Sequence, residues 1–293
     1  MGSLLTEAER KELWLAERRK YITSTDVPIL FGVGYSGSSP IRLYGEKLGI
    51  IPPEPASRRM RLGSAFQDVI LSELEIERGI KVERMDSFTL YPSIHDETSH
   101  LATSLDGRAE DGRIVEAKLH GDWIRDLSEV PHGWLFQVQT QLMVTRAPGA
   151  ILVVLQRGVD LAVFDILPDP ELQTEILLRS REFYLRIQEK NPPPPTVSAD
   201  NEGVTLLYKY AGDAAKGLVL NNDYLPLLRQ RKELLDRKKE VYNDLDLVEA
   251  NIKFALGSAE SAWIEDAETV KVSWKTSKNG VRQLRVYGLS GGE

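Results

Sequence analysis

The run Thr103 to Lys118, TSLDGRAEDGRIVEAK, constrains this chain more than any other stretch, because it reads as a β-hairpin that fixes the places of three charged side chains. From Gly112 to Lys118 the residues alternate with period two, which puts Ile114, Glu116 and Lys118 on one face of a strand. His100 to Leu105 reads as a preceding short strand that stops at Asp106-Gly107, and Asp111-Gly112 supplies the turn. Such a hairpin brings Asp106 against Glu116 and sets a cation, Lys118, beside the pair. Two converging carboxylates make a hard, oxygen-rich site suited to Mg²⁺. A metal held there would polarise a phosphoryl oxygen and acidify a water, and a lysine would hold the water or neutralise charge developing on phosphorus. Singly, Asp-Gly is an ordinary turn and Glu-x-Lys an ordinary exposed pair of small energetic weight. Their combination is what points to phosphodiester hydrolysis.

The pattern D-G-x8-E-x-K from Asp106 to Lys118 resembles the core of the PD-(D/E)xK nucleases, and S-L-D-G followed by V-E-A-K is similar to the lambda-exonuclease or YqaJ-type viral recombinase family. Two further segments carry the resemblance. Trp14 to Asp26 contains Arg18 followed by Ile-Thr-Ser-Thr25-Asp26, and Trp134 to Thr145 contains Gln137-Val-Gln139. The resemblance spans most of Trp14 to Pro195. It implies a mixed sheet flanked by helices, with Asp106, Glu116 and the backbone carbonyl of Ala117 as metal ligands, and Lys118 and Gln137 as catalytic groups. It implies that Arg18 and Thr25 hold the 5′-phosphate of a DNA strand. The implied activity is Mg²⁺-dependent, Mn²⁺-tolerant 5′-to-3′ digestion of linear duplex DNA, leaving a 3′ single strand for an annealing partner in phage-type recombination, by a trimeric ring around the DNA. The family's helical G-x-x-x-E is Gly63-Ser-Ala-Phe-Gln67 here, so Gln67 offers a neutral carbonyl in place of a charge. Either one ion suffices, or Asp68 or Glu73 substitutes, or the residue is an alteration that stops turnover. A restriction-like or helicase-linked endonuclease, and a DNA-end-binding scaffold weakened in catalysis by Gln67, are the competing functions.

At 293 residues the chain has room for one domain with a substantial appendage, or for two domains. The absence of cysteine excludes disulfides, thiolate zinc sites and iron–sulfur clusters. No apolar run is long enough to span a membrane and no signal peptide is evident, so a cytoplasmic location in a bacterial or phage-infected cell is expected. The net charge of −7 does not advertise DNA binding, although Arg18-Arg19-Lys20 and Arg58-Arg59-Met60-Arg61 form local basic patches.

Elsewhere the chain is punctuated clearly. An amphipathic helix is expected over 4–20, then Thr25 as the N-cap of a helix with Pro28 in its first turn, offering an anion site beside Arg18. Gly32-Val-Gly34-Tyr-Ser-Gly37 fits a dinucleotide fingerprint, but a helix rather than a strand precedes it, so it reads as an interhelical loop before Ser39-Pro40. Leu62 to Arg78 has helical spacing. Residues two apart on a helix do not share a face, so at most one of Gln137 and Gln139 addresses the site, and the resemblance points to Gln137. His120 falls on the Lys118 face and reads as a solvated histidine. Ala150 to Leu155 is a buried central strand, Leu161 to Leu167 its neighbour, and Asp169 to Lys190 a helix. Pro192 to Pro195 is a stiff linker that divides a nuclease domain, 1–195, from an appendage, 196–293. In the appendage Leu225 to Leu256 is one long helix or a helical hairpin, and Val270 to Lys275 and Val281 to Tyr287 form a β-hairpin around Lys278-Asn279-Gly280.

Overall fold

The computed structural model describes residues 5–35, 37–209, 217–264, 267–277, 280 and 282–288, which form two compact units, Met1–Gly212 and Asp213–Glu293. The first unit is built on a mixed five-stranded sheet. Its strands are β2 (Val82–Arg84), β5 (Gly107–Ala109), β6 (Ile114–His120), β7 (Ala150–Gln156) and β8 (Asp160–Ile166), in that order, following α1 (Glu7–Arg18), β1 (Ile22–Thr23), α2 (Val27–Leu30), α3 (Pro40–Lys47) and α4 (Arg58–Arg78) in the chain. A small second sheet pairs β1 parallel to β4 (Leu101–Thr103), which in turn pairs antiparallel to β3 (Tyr91–Pro92).

Only β6 and β7 of the large sheet run parallel. A parallel pair needs a crossover, and α5 (His132–Thr145) supplies it. Its Trp134, Val138 and Leu142 pack on Ile114, Leu152 and Leu105, while Ile70, Leu71 and Leu74 of α4 pack on Val115, Ile151 and Val153 on the opposite face. Each β6 residue therefore serves the layer its parity dictates, and β7 is buried throughout as its unbroken apolar run requires. A third cluster joins β1, β4 and α5 to α6 (Pro170–Gln188), where Ile22, Leu101, Met143 and Ile176 meet.

Local signals explain the helix ends. Thr6 and Glu9 form a reciprocal capping box on α1, Ser57 caps α4, and Asp169 caps α6 ahead of Pro170. Among the described residues no helix is long and apolar enough to cross a membrane.

Two expectations need correction. Thr25 is not a helix N-cap: α2 is a four-residue helix whose N-cap is Asp26, with no side-chain cap bond, because Asp26 accepts instead from the Thr23 backbone and hydroxyl and pairs with Lys47. The first unit also continues past Pro195. Buried Asp200, which opens α7 (Asp200–Leu207), accepts hydrogen bonds from Ser39 and Ile41 at the start of α3 and from the Thr196 and Val197 backbone. The chain after the proline run is thereby stitched to its far beginning.

The second unit holds α8 (Leu225–Leu256), a single helix of 32 residues, followed by the antiparallel sheet β9 (Ser261–Ile264), β10 (Ala267–Thr276) and β11 (Arg282–Tyr287). Of the hairpin read around the last two strands, Lys278, Asn279 and Val281 lie outside the described residues.

Candidate active site

A hairpin forms, but its first arm is not the strand read over His100 to Leu105: that segment, β4, pairs with β1 and β3 in the small sheet, and the arm beside β6 is β5, which starts at Gly107, opposite Val115, with Arg108 opposite Ile114. Glycine is required at 107, where a Cβ would come within 2.6 Å of Val82, and at 112, where φ is +88°. Continuing the register by one residue sets Asp106 opposite Glu116, and opposite residues project from the same face. At this point backbone pairing stops, and the Ala117 N–H donates to Asp106 Oδ2 at 2.9 Å instead. In a strand the N–H and C=O of one residue point to the same side, so the Ala117 carbonyl faces the gap beside Asp106.

Glu116 is buried and is the hub. Its Oε1 accepts from Lys118 Nζ at 2.6 Å and Gln137 Nε2 at 2.7 Å, and its Oε2 accepts from Gln141 Nε2 at 2.6 Å. Gln137 Oε1 in turn accepts from Lys118 at 2.9 Å. The chemistry fixes both amides, since a carboxylate and a lysine leave each only one acceptable orientation. Both lone pairs of Oε1 are used, and Oε2 keeps one.

Burial and the neighbouring charge of Glu116 push the Asp106 carboxyl up to about 7, against the smaller pull of Lys118 and the Ala117 N–H. Burial works against the charge of Lys118, but Glu116, with Tyr35 and Asp106, more than offsets this and raises it above the ordinary lysine value. Lys118 lies 6.0 Å from the Trp134 ring centroid. His120 packs at a steep angle to the same ring at 5.4 Å and is half-buried rather than fully solvated as the sequence implied; its Nδ1 is buried without a partner.

The structure joins Arg18 and Thr25 directly. Arg18 Nη2 donates to Thr25 Oγ1 at 2.7 Å and Thr23 Oγ1 at 3.0 Å, and its guanidinium lies 4.5 Å from the Trp14 ring centroid. Asp26 is nearby, with 3.8 Å to Arg18. Burial opposes its charge, but Lys47 and Arg18 more than offset this and hold it below the ordinary carboxylate range. Lys47 and Arg18 are thus two cations set against the single charge of Asp26. Ser24 bonds Thr103 at 2.8 Å, and Trp14 Nε1 donates to Ser104 Oγ at 3.2 Å. The pair is thus tied to the segment that runs on to Asp106, three residues or about 10 Å of extended chain away.

Gln67 lies one turn before Ile70 and Leu71 on the sheet-facing side of α4 and is half-buried, with no hydrogen bond to Asp106, Glu116 or Lys118. Asp68 is exposed and acts on Arg84, and Glu73 is exposed. Among the described residues no third acidic or histidine side chain joins Asp106 and Glu116, so neither substitute for the family glutamate completes the cluster.

Sequence reasoning missed Gln141. It is the i+4 neighbour of Gln137 on α5, so helical spacing alone would have found it once Gln137 was chosen. Its Oε1 is buried and unpartnered. Gln139, which the resemblance passed over for Gln137, faces away: it donates to the Leu167 carbonyl and accepts from Asp169 N and Gln173.

A mixed sheet whose β5–β6 hairpin presents Asp, Glu and Lys to a crossover helix is a restriction-endonuclease-like core of the PD-(D/E)xK kind. Within that class, residues 13–148 match the family model described as the YqaJ-like viral recombinase domain. It is similar to the uncharacterized protein YqaJ of Bacillus subtilis (strain 168), at 26% identity over 276 residues, covering 88% of this chain and 84% of that protein. Among solved structures it is similar to the alkaline exonuclease LHK-Exo of Laribacter hongkongensis (18% identity, TM-score 0.47, 61% of this chain and 94% of that one). It is also similar to a putative exonuclease of Eubacterium rectale (12% identity, TM-score 0.49, 75% and 97%).

Proposed function

We propose that this protein is a Mg²⁺-dependent exonuclease that digests linear duplex DNA from a 5′ end and leaves a 3′ single strand for an annealing partner. The observation that carries the reading is the closed triangle of Glu116, Lys118 and Gln137, with Asp106 opposite Glu116 and held by the Ala117 N–H, beside a separate Arg18–Thr25 pair. A cation site and an anion site a short strand apart suit cleavage of one phosphodiester next to a held terminal phosphate. The viral recombinase domain over residues 13–148 supports it, because that domain contains both sites.

The donor set fits a divalent cation. The Asp106 carboxyl is raised by burial and then by the charge of Glu116, a cost that a bound cation would relieve, and the remaining Oε2 lone pair of Glu116 and the Ala117 carbonyl are the hard oxygens beside it. Asp106, Glu116 and Ala117 would hold the ion, with Gln67 contributing at most a neutral oxygen. When bound, Mg²⁺ would polarise the phosphoryl oxygen and acidify a water. Gln137 holds the Lys118 ammonium, which keeps its proton and so stabilises charge accumulating on phosphorus. Gln141 holds the other oxygen of Glu116 so that the carboxylate does not rotate. Arg18 and Thr25 position the strand through its 5′-phosphate, where guanidinium and hydroxyl are both donors.

Digestion of linear and closed-circular duplexes with Mg²⁺, with Mn²⁺ and with chelator tests the reading. Loss of linear duplex alone, dependent on the metal, is expected; cleavage of the circle would establish an endonuclease. The uncharged Gln67 favours a second reading, a DNA-end-binding scaffold, which predicts end binding without turnover at any metal concentration.

A further inference from the structure

Helix α8 spans 32 residues, about 48 Å at 1.5 Å per residue, and only Leu256 at its last position is buried. A helix of this length draws its stability from covering an apolar stripe. The stripe is present and open. Leu227, Leu234, Val241 and Val248 recur every seven residues, with Leu245 and Ile252 four residues after the last two, the d and a positions of a heptad seam. Leu227 is 59% exposed and Val241 65%. The two remaining seam positions are basic, Arg231 and Lys238.

Charge along the helix is sharply divided. Leu225 to Lys239 carries six basic and two acidic residues, net +4, and Glu240 to Leu256 carries four acidic and one basic, net −3. A parallel pair or trimer would stack Arg231 on Arg231 and Lys238 on Lys238 inside the seam. An antiparallel pair related by a two-fold axis between Lys239 and Glu240 does the opposite. Its seam layers become Leu227 with Ile252, Arg231 with Val248, Leu234 with Leu245 and Lys238 with Val241, each occurring twice. On one flank Arg237 meets the partner's Asp244 and Gln230 the partner's Asn251; on the other Leu235 meets the partner's Tyr242. The two seam cations then lie toward the acidic half of the other helix. Closed two-fold pairing of one surface with itself is the commonest route to a homodimer.

We infer that α8 is a dimerisation helix that pairs antiparallel with α8 of a second copy of this chain. The inference is independent of the nuclease reading. It is tested on the full chain by mass from light scattering after gel filtration. The intact chain is expected to be dimeric or an even assembly. Val241→Asp, at the centre of the seam, halves the mass while the melting transition of the first unit persists. Arg237→Asp and Asp244→Arg each place like charges together twice and weaken association at least tenfold, and the double variant Arg237→Asp/Asp244→Arg restores it. Because the chain has no cysteine, orientation can be read by oxidation: Leu234→Cys/Leu245→Cys forms a covalent dimer and neither single variant does. A monomer, a trimer unchanged by Val241→Asp, or cross-linking by single Leu234→Cys overturns the inference.

Discussion

Replacing Asp106 with asparagine is expected to destroy cation binding yet stabilise the metal-free protein, and the size of the gain follows from the site. The folded carboxyl titrates at about 7 against an ordinary 3.8 because it is buried beside Glu116. Between these values the unfolded chain has released its proton and the folded chain retains it. Folding stability from this group is therefore fully present below pH 4, declines as pH rises through 7, and is flat above. About three pH units at about 1.4 kcal/mol each put the ceiling near 4 kcal/mol. The carboxamide introduced by Asp106→Asn can keep the Ala117 N–H bond through its oxygen and carries no charge against Glu116. At pH 8 without metal, Asp106→Asn should gain about 1–4 kcal/mol, a rise in melting temperature of roughly 2–4 °C per kcal/mol for a unit of this size. At pH 5 somewhat more than a third of the difference should remain, and it should vanish only below pH 4. Saturating Mg²⁺ at pH 8 should stabilise the unaltered protein and leave Asp106→Asn unmoved. Denaturation of both forms across pH 5 to 9, with and without Mg²⁺, is the assay. An Asp106→Asn variant that is no more stable at pH 8 than the unaltered protein would refute the picture of a carboxylate destabilised by burial beside Glu116.

Lys118→Met should abolish digestion while metal-dependent stabilisation survives, which melting in Mg²⁺ and a nuclease assay on one preparation separate. A 5′-phosphorylated end should be digested faster than a 5′-hydroxyl end, and Arg18→Ala should erase the difference; equal rates on both ends with Arg18 intact would remove the phosphate pocket. Gln67→Glu should raise the rate at limiting Mg²⁺, and an unchanged or poorer Mg²⁺ titration would mark the neutral residue as suited to its place. Gln141→Leu removes a hydrogen bond to a carboxylate, worth about 1.5–3 kcal/mol, together with an unpartnered buried oxygen. The fold should tolerate it, while kcat should fall about tenfold or more with little change in KM.

Much of the site was legible because its geometry is local. Strand parity puts Glu116 and Lys118 on one face, the Asp111-Gly112 turn sets the hairpin, and helical spacing keeps Gln137 and Gln139 off a common face, whereas Asp106-Gly107, read as the end of a strand, opens β5. The resemblance supplied Arg18, and the structure seats it against Thr25. What escaped depends on residues far apart in the chain. The cap read at Thr25 failed because the cap position of α2 is one residue later, at Asp26, and the Thr25 hydroxyl accepts from Arg18, while Lys47, on another helix, claims Asp26. The boundary read at Pro195 failed because the partners of Asp200 lie some 160 residues upstream, which no composition change announces. Gln141 was passed over because an amide in an apolar helix reads as a surface residue until Glu116 is known to stand opposite.

Gln139 touches no group of the site, yet α5 carries amides on both flanks, and those on the far side act as its keel. Gln139 is bonded to Leu167, Asp169 and Gln173 where α6 begins, so the helix is held against turning about its own axis. One residue of an α-helix corresponds to about 100° of rotation, and a small fraction of that would swing both Gln137 and Gln141 off Glu116. Drift at this remote position would thus register as misalignment: every ligand still present, the protein still folded, and the Glu116 carboxylate no longer aimed.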